Sequence, residues 1–482
     1  MMRPLLFAIL TFMIGGQVFG QAAWQRTYGG YGMDEGRCIR QTSDLGYIVV
    51  GSTGSFGSGA SDIYVLKLSG SGEREWSVAI GSPGVEQGWA VRELLTGGYL
   101  VAGYTNDGGG SYDGLLVRLD VDGAVIWERH YGGPDWDFVY DLELVPEGAV
   151  MVGSTTIDGN EQGWLLKVGA QGEILWEKDF GGEYSDVGRC VRATADGGLV
   201  VAGTKTLTDT THKAWVVRFD AGGNELWETT VGSYPLGIGY SVSQTGDGGF
   251  VVGGYAVEPS GRRVMLVAKV DEGGNHMWVN HLDGGQGEWE GRSIRGMDDG
   301  RLILAGITSS YGAGGFDYYM AILDEQGQWM SGPSFGSSGD EDCWGLDLTA
   351  DGSFVLAGTT RGLGPGVSAV YVVKNAGGII DDPFIEDFDP LLVDEPVRTS
   401  DILIAPNPVR AGGMVQVTWP GGYAGTWKAD LLALDGRLVA QVHGHPGENA
   451  IQVPVQASGT YLLRLNWGPG YMATTRLVIG AE

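Results

Sequence analysis

A tryptophan returns about every fifty-one residues through the first two thirds of this chain. Trp24, Trp76, Trp127, Trp176, Trp227, Trp278 and Trp329 are separated by 52, 51, 49, 51, 51 and 51 residues. All but the first close a turn string: LSGSGEREW, LDVDGAVIW, VGAQGEILW, FDAGGNELW, VDEGGNHMW and the shorter LDEQGQW. A second marker keeps the same beat: a Gly follows an apolar run at Gly51, Gly103, Gly153, Gly203, Gly253, Gly306 and Gly358. A fixed period of this length constrains the fold before any local reading. Each copy is one supersecondary unit that cannot bury its apolar face alone, so the copies must stack.

Within one copy the pattern is that of short strands. In the second repeat, segments at Trp89–Leu95, Tyr99–Tyr104, Leu115–Asp120 and Val125–Tyr131 are rich in Val, Leu, Ile, Tyr and Trp and are bounded by Gly, Asp or Asn. That composition and punctuation predict four strands, A to D. Asp196-Gly197-Gly198, Asp247-Gly248-Gly249 and Thr96-Gly97-Gly98 predict A–B hairpin turns that need positive φ. Four antiparallel strands, repeated radially, predict an all-β fold, a seven-bladed β-propeller, in which face-to-face packing protects the sheet edges. The chain opens on a lone strand D (24–28), and its last repeat stops after strand C (371–375). The N-terminal strand is therefore expected to close the last blade. The predicted blades run at about 37–80, 89–131, 137–180, 188–231, 238–282, 291–335, and 343–375 plus 23–29.

The Asp-x-x-Gly-x-x-x-Trp turn resembles the tryptophan-docking motif of quinoprotein-type propellers. The repeat is also similar to secreted Bacteroidota propeller repeats with DGGYIVAGxT strings. These resemblances imply that each Trp packs between neighbouring blades, and they imply little about chemistry.

The ends of the chain carry other signals. Arg3, the apolar run 5–14 and Val18-Phe19-Gly20 before Gln21 read as a secretory signal peptide, 1–20, too short for a membrane span. The propeller is expected over 21–378. An acidic, Pro-containing linker follows over 379–400, then a small β-sandwich over 401–482. With 59 acidic and 30 basic residues the chain is repelled by phosphate backbones, so no nucleic-acid partner is expected. No later run is apolar enough to predict a transmembrane segment. Three Cys, at 38, 190 and 343, do not make a disulfide framework. Cys38 and Cys190 share a repeat position and read as small buried residues. A Cys38–Cys343 bridge is the alternative if the first and last blades are neighbours.

The C-terminal module resembles the type A sorting domain of the type IX secretion system. The matching residues are Pro406-Asn407-Pro408, Asp435-Gly436-Arg437, Ser458-Gly459-Thr460-Tyr461 and Arg476-Leu477-Val478-Ile479. The resemblance implies export across the outer membrane by that machinery, as a secreted or outer-surface protein.

A chemical site is less visible. Ten residues beyond the repeat Trp lie Asp34, Glu86, Asp137, Asp186 and Glu288, with Glu341 at a shifted spacing. Carboxylates in the D–A loops would ring one mouth of the channel, where they could bind Ca²⁺, which takes six to eight oxygen ligands. Their alternative role is to accept backbone hydrogen bonds in their own turns. No other cofactor is expected. A basic residue recurs in strand C (Lys67, Arg118, Lys167, Arg218, Lys269, Lys374) and suits pairing with acids. Phe56, Tyr112, Tyr311 and Phe316 lie in the variable B–C loops, where binding tends to sit. No nucleophile elbow or His ligand spacing is present, and no Arg cluster fit to hold a carboxylate is visible. The sequence thus favours a binding, adhesion or scaffold module with a glycan or surface protein as ligand. An extracellular polysaccharide-degrading or quinone-dependent enzyme with its site at the channel mouth is the alternative.

Overall fold

The repeating turn explains the architecture of the computed structural model, which describes residues 23–106, 110–375 and strands between 403 and 480. In each Asp-x-x-Gly turn the Asp carboxylate accepts from backbone N–H groups two and four residues on, as Asp120 does from Asp122 and Ala124 (2.9 and 2.8 Å). The Gly then takes a left-handed conformation, φ 84° at Gly123. A side chain there is excluded twice over, because the ring of Trp76 from the preceding unit lies against it. The motif therefore spans two copies of the repeat: the Asp and Gly of one and the Trp of the one before.

Every described element is a strand. The first unit pairs Asp34–Gln41, Tyr47–Thr53, Asp62–Leu68 and Arg74–Ile80 in antiparallel order. The second pairs Val85–Glu93, Tyr99–Asn106, Asp113–Leu119 and Val125–Tyr131. Units opening at Asp137, Val187, Leu236 and Trp289 repeat the arrangement. In the Trp289 unit the outer strand is split into Trp329–Ser331 and Ser334–Phe335, flanking Gly332-Pro333, since Pro has no N–H for the ladder. The last set, Glu341–Leu348, Phe354–Thr360 and Ala369–Lys374, takes Trp24–Tyr28 as its fourth strand, with Trp24 opposite Lys374 and Tyr28 opposite Val370.

The apolar core is divided among the faces between units. Ile48, Val50 and Val65 of the first unit pack with Val101 and Val117 of the second. Further clusters bridge each later pair in turn. A final cluster joins Ile39, Val49 and Tyr64 to Val355, Ala357 and Val372, which sets the first unit against the last. This is the packing of a β-propeller, and each layer is buried by both its neighbours.

Strand A begins about four residues earlier than the sequence pattern suggests, at Val85 rather than Trp89 in the second unit. The polar residues Glu86 and Gln87 sit in the ladder because Glu86 is employed there in side-chain hydrogen bonding. Cys38, Cys190 and Cys343 are buried free thiols, so the Cys38–Cys343 alternative is not realised.

In the C-terminal region, Leu403–Ala405, Met414–Thr418 and Ala450–Gln452 form one sheet. A second, five-stranded sheet contains Val409–Arg410, Trp427–Leu432, Leu438–Gly444, Gly459–Trp467 and Tyr471–Gly480. Gly459 and Tyr461 open one of these strands. The signal peptide, the acidic linker, Pro406–Pro408 and Asp435–Gly436 lie outside the described residues. Among the described residues no helix is long and apolar enough to cross a membrane.

Candidate functional site

The carboxylates anticipated as a ring at the channel mouth are drawn into their own loops. Asp34 opens strand A fully buried, accepts from Gly30 N (2.7 Å) and Ser55 Oγ (2.6 Å), and takes the Thr53 hydroxyl. Glu86 and Glu341 repeat this scheme with Ser82 and Thr105, and with Ser337 and Thr360. Asp137 accepts from Gly133 N and Asp186 from Thr206 N, while Glu288 pairs with Arg263. Burial nonetheless raises the pKa of Asp34 and Asp186. Among the described residues no three His, Cys, Asp or Glu side chains meet in a group that could hold a metal.

The strand C cations pair with the acid of the A–B turn in the same unit: Lys67 with Asp44 (2.8 Å), Arg218 with Asp196 (2.6 Å), Lys269 with Asp247 (2.6 Å) and Lys374 with Asp351 (3.1 Å). Where that turn has no Asp, Arg118 donates instead to the Gly97 carbonyl (2.6 Å). Six of the repeat Trp residues lie against the turn Gly of the next unit; Trp24, for example, covers Gly72 and donates to the Gly70 carbonyl (3.1 Å). Trp76, Trp127, Trp176, Trp227 and Trp278 cover Gly123, Gly172, Gly223, Gly274 and Gly327. Trp329 is instead 57% exposed and donates to the Tyr319 hydroxyl (2.8 Å).

The loop aromatics fold back. Phe56 tilts on Tyr64, Tyr311 packs edge-on to Trp289, and Phe316 lies under the Arg263 guanidinium. Tyr112 joins Tyr104, Trp136 and Phe138 in one cluster.

The side chains that do converge are elsewhere. Strand A of every unit has a bulge at one position: its pairing to strand B skips Arg37, Trp89, Tyr140, Arg189, Tyr240, Arg292 and Trp344. A bulge leaves one residue out of the ladder and re-aims its side chain. All seven line a single cavity of about 80 Å³ at the centre of the ring. Three guanidinium groups are interleaved with four aromatic rings around it. Arg37 lies over Trp89 and Trp344 (4.8 and 4.9 Å to the ring centres), Arg189 over Tyr140 and Tyr240 (5.7 and 5.3 Å), and Arg292 over Tyr240 and Trp344 (4.6 and 4.0 Å). Trp89 and Trp344 meet edge to face at 5.6 Å. Cation–π contacts of this kind contribute about 0.5–2 kcal/mol each, so the ring is held from within.

Three residues further along strand A lies a second layer: Arg40, Arg92, Glu143, Arg192, Ser243, Arg295 and Asp347. Here Asp141 pairs with Arg92 (3.2 Å) and Arg192 (2.5 Å), and Asp347 with Arg40 (3.1 Å). Burial raises the Asp141 pKa, but Arg192 and Arg92 outweigh it and hold the carboxyl well below its usual range. Arg295 has only neutral partners, the Ser293 hydroxyl and the Ile294 carbonyl. Its burial, with Arg40 and Arg192 nearby, pulls its pKa down to about 9.

Two residues before the bulge, towards the B–C loops, the rim reads Glu35, Gln87, Phe138, Val187, Ile238, Glu290 and Asp342. Glu35 pairs with Arg37 (2.7 Å) and Glu290 with Arg292 (2.5 Å).

An Arg cluster that no single sequence motif displays is therefore present, contributed by four of the repeats. Its trace in the sequence is GRCIR, GWAVR, GRCVR, GYSVS and GRSIR, a recurring string whose second and fifth residues face the channel.

No protein-family model matches the chain and no curated protein matches it. Among solved structures it is similar to PorZ, a surface component of the type IX secretion system of Porphyromonas gingivalis, at 12% identity and TM-score 0.42. The alignment covers 94% of this chain and 60% of PorZ, so the chain spans about three fifths of that protein's length. It is similar to the Pan2 WD40 domain of Neurospora crassa at 11% identity and TM-score 0.46, covering 72% of this chain and 91% of that one. It is also similar to the hydrazine synthase of Kuenenia stuttgartiensis at 14% identity and TM-score 0.45, covering 67% and 92%.

Proposed function

We propose that this chain is a secreted or outer-surface binding module, a seven-bladed propeller with the N-terminal strand serving as the outer strand of the last blade. The pairing of Trp24–Tyr28 with Ala369–Lys374 supports that closure. The observation that carries the function is the set of seven bulges, which delivers one side chain from each repeat, three Arg, two Trp and two Tyr, into one cavity. The repeat is kept where it packs and abandoned where it faces the channel. What it delivers there is guanidinium, indole and phenol, groups that hold a ligand and that keep their protonation state near neutral pH. Recognition suits this set better than proton transfer does.

The C-terminal module supplies export through a type IX-like system, on the strength of its sorting-domain motifs. Its two sheets are compatible with the small sandwich expected there.

The test is direct. The full chain is applied to arrays of surface glycans and extracellular proteins, and parallel cultures express it with and without 401–482. The reading requires specific retention of at least one ligand without turnover, and loss of surface export on truncation. The second reading, an extracellular polysaccharide-degrading or quinone-dependent enzyme, draws on the same Arg-lined cavity. Product release from an array-positive ligand would favour it.

A further inference from the structure

The channel ring is neutralised unevenly. Arg37 and Arg292 each have a rim carboxylate beside them, whereas Arg189 has no ion pair among the described residues and shares the rim with Phe138, Val187 and Ile238. Arg295, one layer deeper, makes no ion pair among the described residues, although the Asp347 carboxylate lies near enough to act on it. Among the described residues, five buried donors on the cavity lining have no acceptor: Nε of Arg37, Arg189 and Arg292, and the indole N–H of Trp89 and Trp344. A buried donor left unpaired is costly, and five of them against one unpaired rim oxygen, Asp342 Oδ1, point to an acceptor that comes from outside. The chain as a whole carries a formal charge of −29, yet this channel collects seven Arg against six carboxylates. One negative charge balances it; a phosphate dianion would exceed the balance.

A second feature leads to the same place. Trp136 is 55% exposed, and its ring meets Tyr112 (6.0 Å) and Phe138 (6.3 Å). Phe138 lies nearly parallel to Tyr140, 13° apart at 6.1 Å, and Tyr140 carries the Arg189 guanidinium over its face. These rings form a continuous aromatic ramp from the loop face to the unpaired Arg. The cavity of about 80 Å³ admits a carboxylate head group and leaves a pyranose ring outside it, on the ramp. Flat apolar sugar faces stack on aromatic rings, and guanidinium forks match carboxylate oxygens.

We propose that the channel mouth binds the terminal uronic acid of a polysaccharide, with its carboxylate at Arg189 and the Trp344 indole N–H and its sugar ring on Phe138 and Trp136. This rests on the binding-module reading and names the ligand class for it. It is tested by titrating the full chain with digalacturonate, galactobiose, acetate and inorganic phosphate, followed by calorimetry and tryptophan fluorescence. Digalacturonate is expected to bind saturably, at least tenfold tighter than galactobiose, acetate or phosphate. Arg189→Gln should weaken it at least tenfold with the thermal midpoint unchanged. Should Arg189→Gln fail to fold, Phe138→Ala carries the test, weakening digalacturonate about tenfold and leaving acetate alone. No saturable binding of digalacturonate, equal binding of galactobiose, tighter binding of phosphate, or insensitivity to both substitutions overturns the proposal. Retention of only neutral glycans or proteins leaves the binding-module reading standing and removes this one. Cleavage of bound digalacturonate removes the binding-module reading and keeps acid recognition.

Discussion

Asp34 and Ser368, 334 residues apart in sequence, hydrogen-bond at the seam of the ring. The Asp34 amide donates to Ser368 Oγ at 3.1 Å, and the Ser368 hydroxyl donates to the Asp34 carbonyl at 3.1 Å. Arg40 reaches across the same seam to Asp347, and Gln41 N donates to that carboxylate at 2.9 Å. The two ends of the repeat are thus joined by polar contacts as well as by the cluster of Ile39, Val49, Val355 and Val372.

Removing residues 21–30 takes away the strand paired with Ala369–Lys374 and exposes a flat, apolar edge. Such an edge templates association with other chains. The deletion protein should elute as aggregates in size-exclusion chromatography and lose its sharp melting transition. A monomer with an unchanged midpoint would show that the N-terminal strand does not close the ring.

The repeat tryptophans should not be equivalent. Trp127 is half-buried against Gly172 and carries the Arg129 guanidinium, so Trp127→Ala should cost about 2–3 kcal/mol, below the full cost of a wholly buried aromatic. Trp329, more than half exposed, should cost under about 1 kcal/mol on the same substitution. Chemical denaturation of the two variants decides it, and equal losses would contradict the docking account.

Asp141 is the electrostatic keystone of the lower channel. Asp141→Asn leaves Arg92 and Arg192 buried without their shared counter-charge, and should cost about 3 kcal/mol. Because its folded pKa lies below the unfolded value of 3.8, its contribution is fully present above that value and is lost as pH falls towards the folded one. Melting curves from pH 5 down to pH 2 should drop more steeply for the native chain than for Asp141→Asn.

Asp317 should behave in the opposite sense. Burial, with Glu341 and Asp340 nearby, pushes its pKa from 3.8 up to about 6. The fold prefers its protonated form, so stability should fall as pH rises from about 4 to about 6. The effect is about 1 kcal/mol after discounting for solvent screening. Asp317→Asn keeps an acceptor for Ala313 and Gly314 and should flatten that slope. A slope unchanged in the variant would assign it to another group.

The scaffold was legible because packing repeats itself. The Trp, the turn Asp and the turn Gly recur since every interface between units has the same geometry, and a period is visible without knowing what lies opposite. The channel was harder to read because its content is what differs between copies. Arg37, Trp89 and Tyr140 share a position and no chemistry, so an eye trained on recurrence slides past them. The strand A acids misled for a related reason: Asp34 and Glu341 do recur, but a recurrent carboxylate with Gly, Ser and Thr nearby is a turn acceptor first. The bulge itself leaves only a faint sequence mark, the Gly before Arg37, Trp89, Arg189, Tyr240 and Arg292.

The bulges also bear on how such a ring could change its ligand over generations. The residue at each bulge is skipped in its unit's strand pairing, and its side chain faces the cavity, away from the seams between units. A substitution there alters the ring contacts inside the channel and leaves the apolar clusters between units in place. The channel lining is therefore a word that can be respelled without rebuilding the sheets, each letter read against the rings and guanidinium groups beside it. The surrounding sheet acts as a frame that tolerates the spelling.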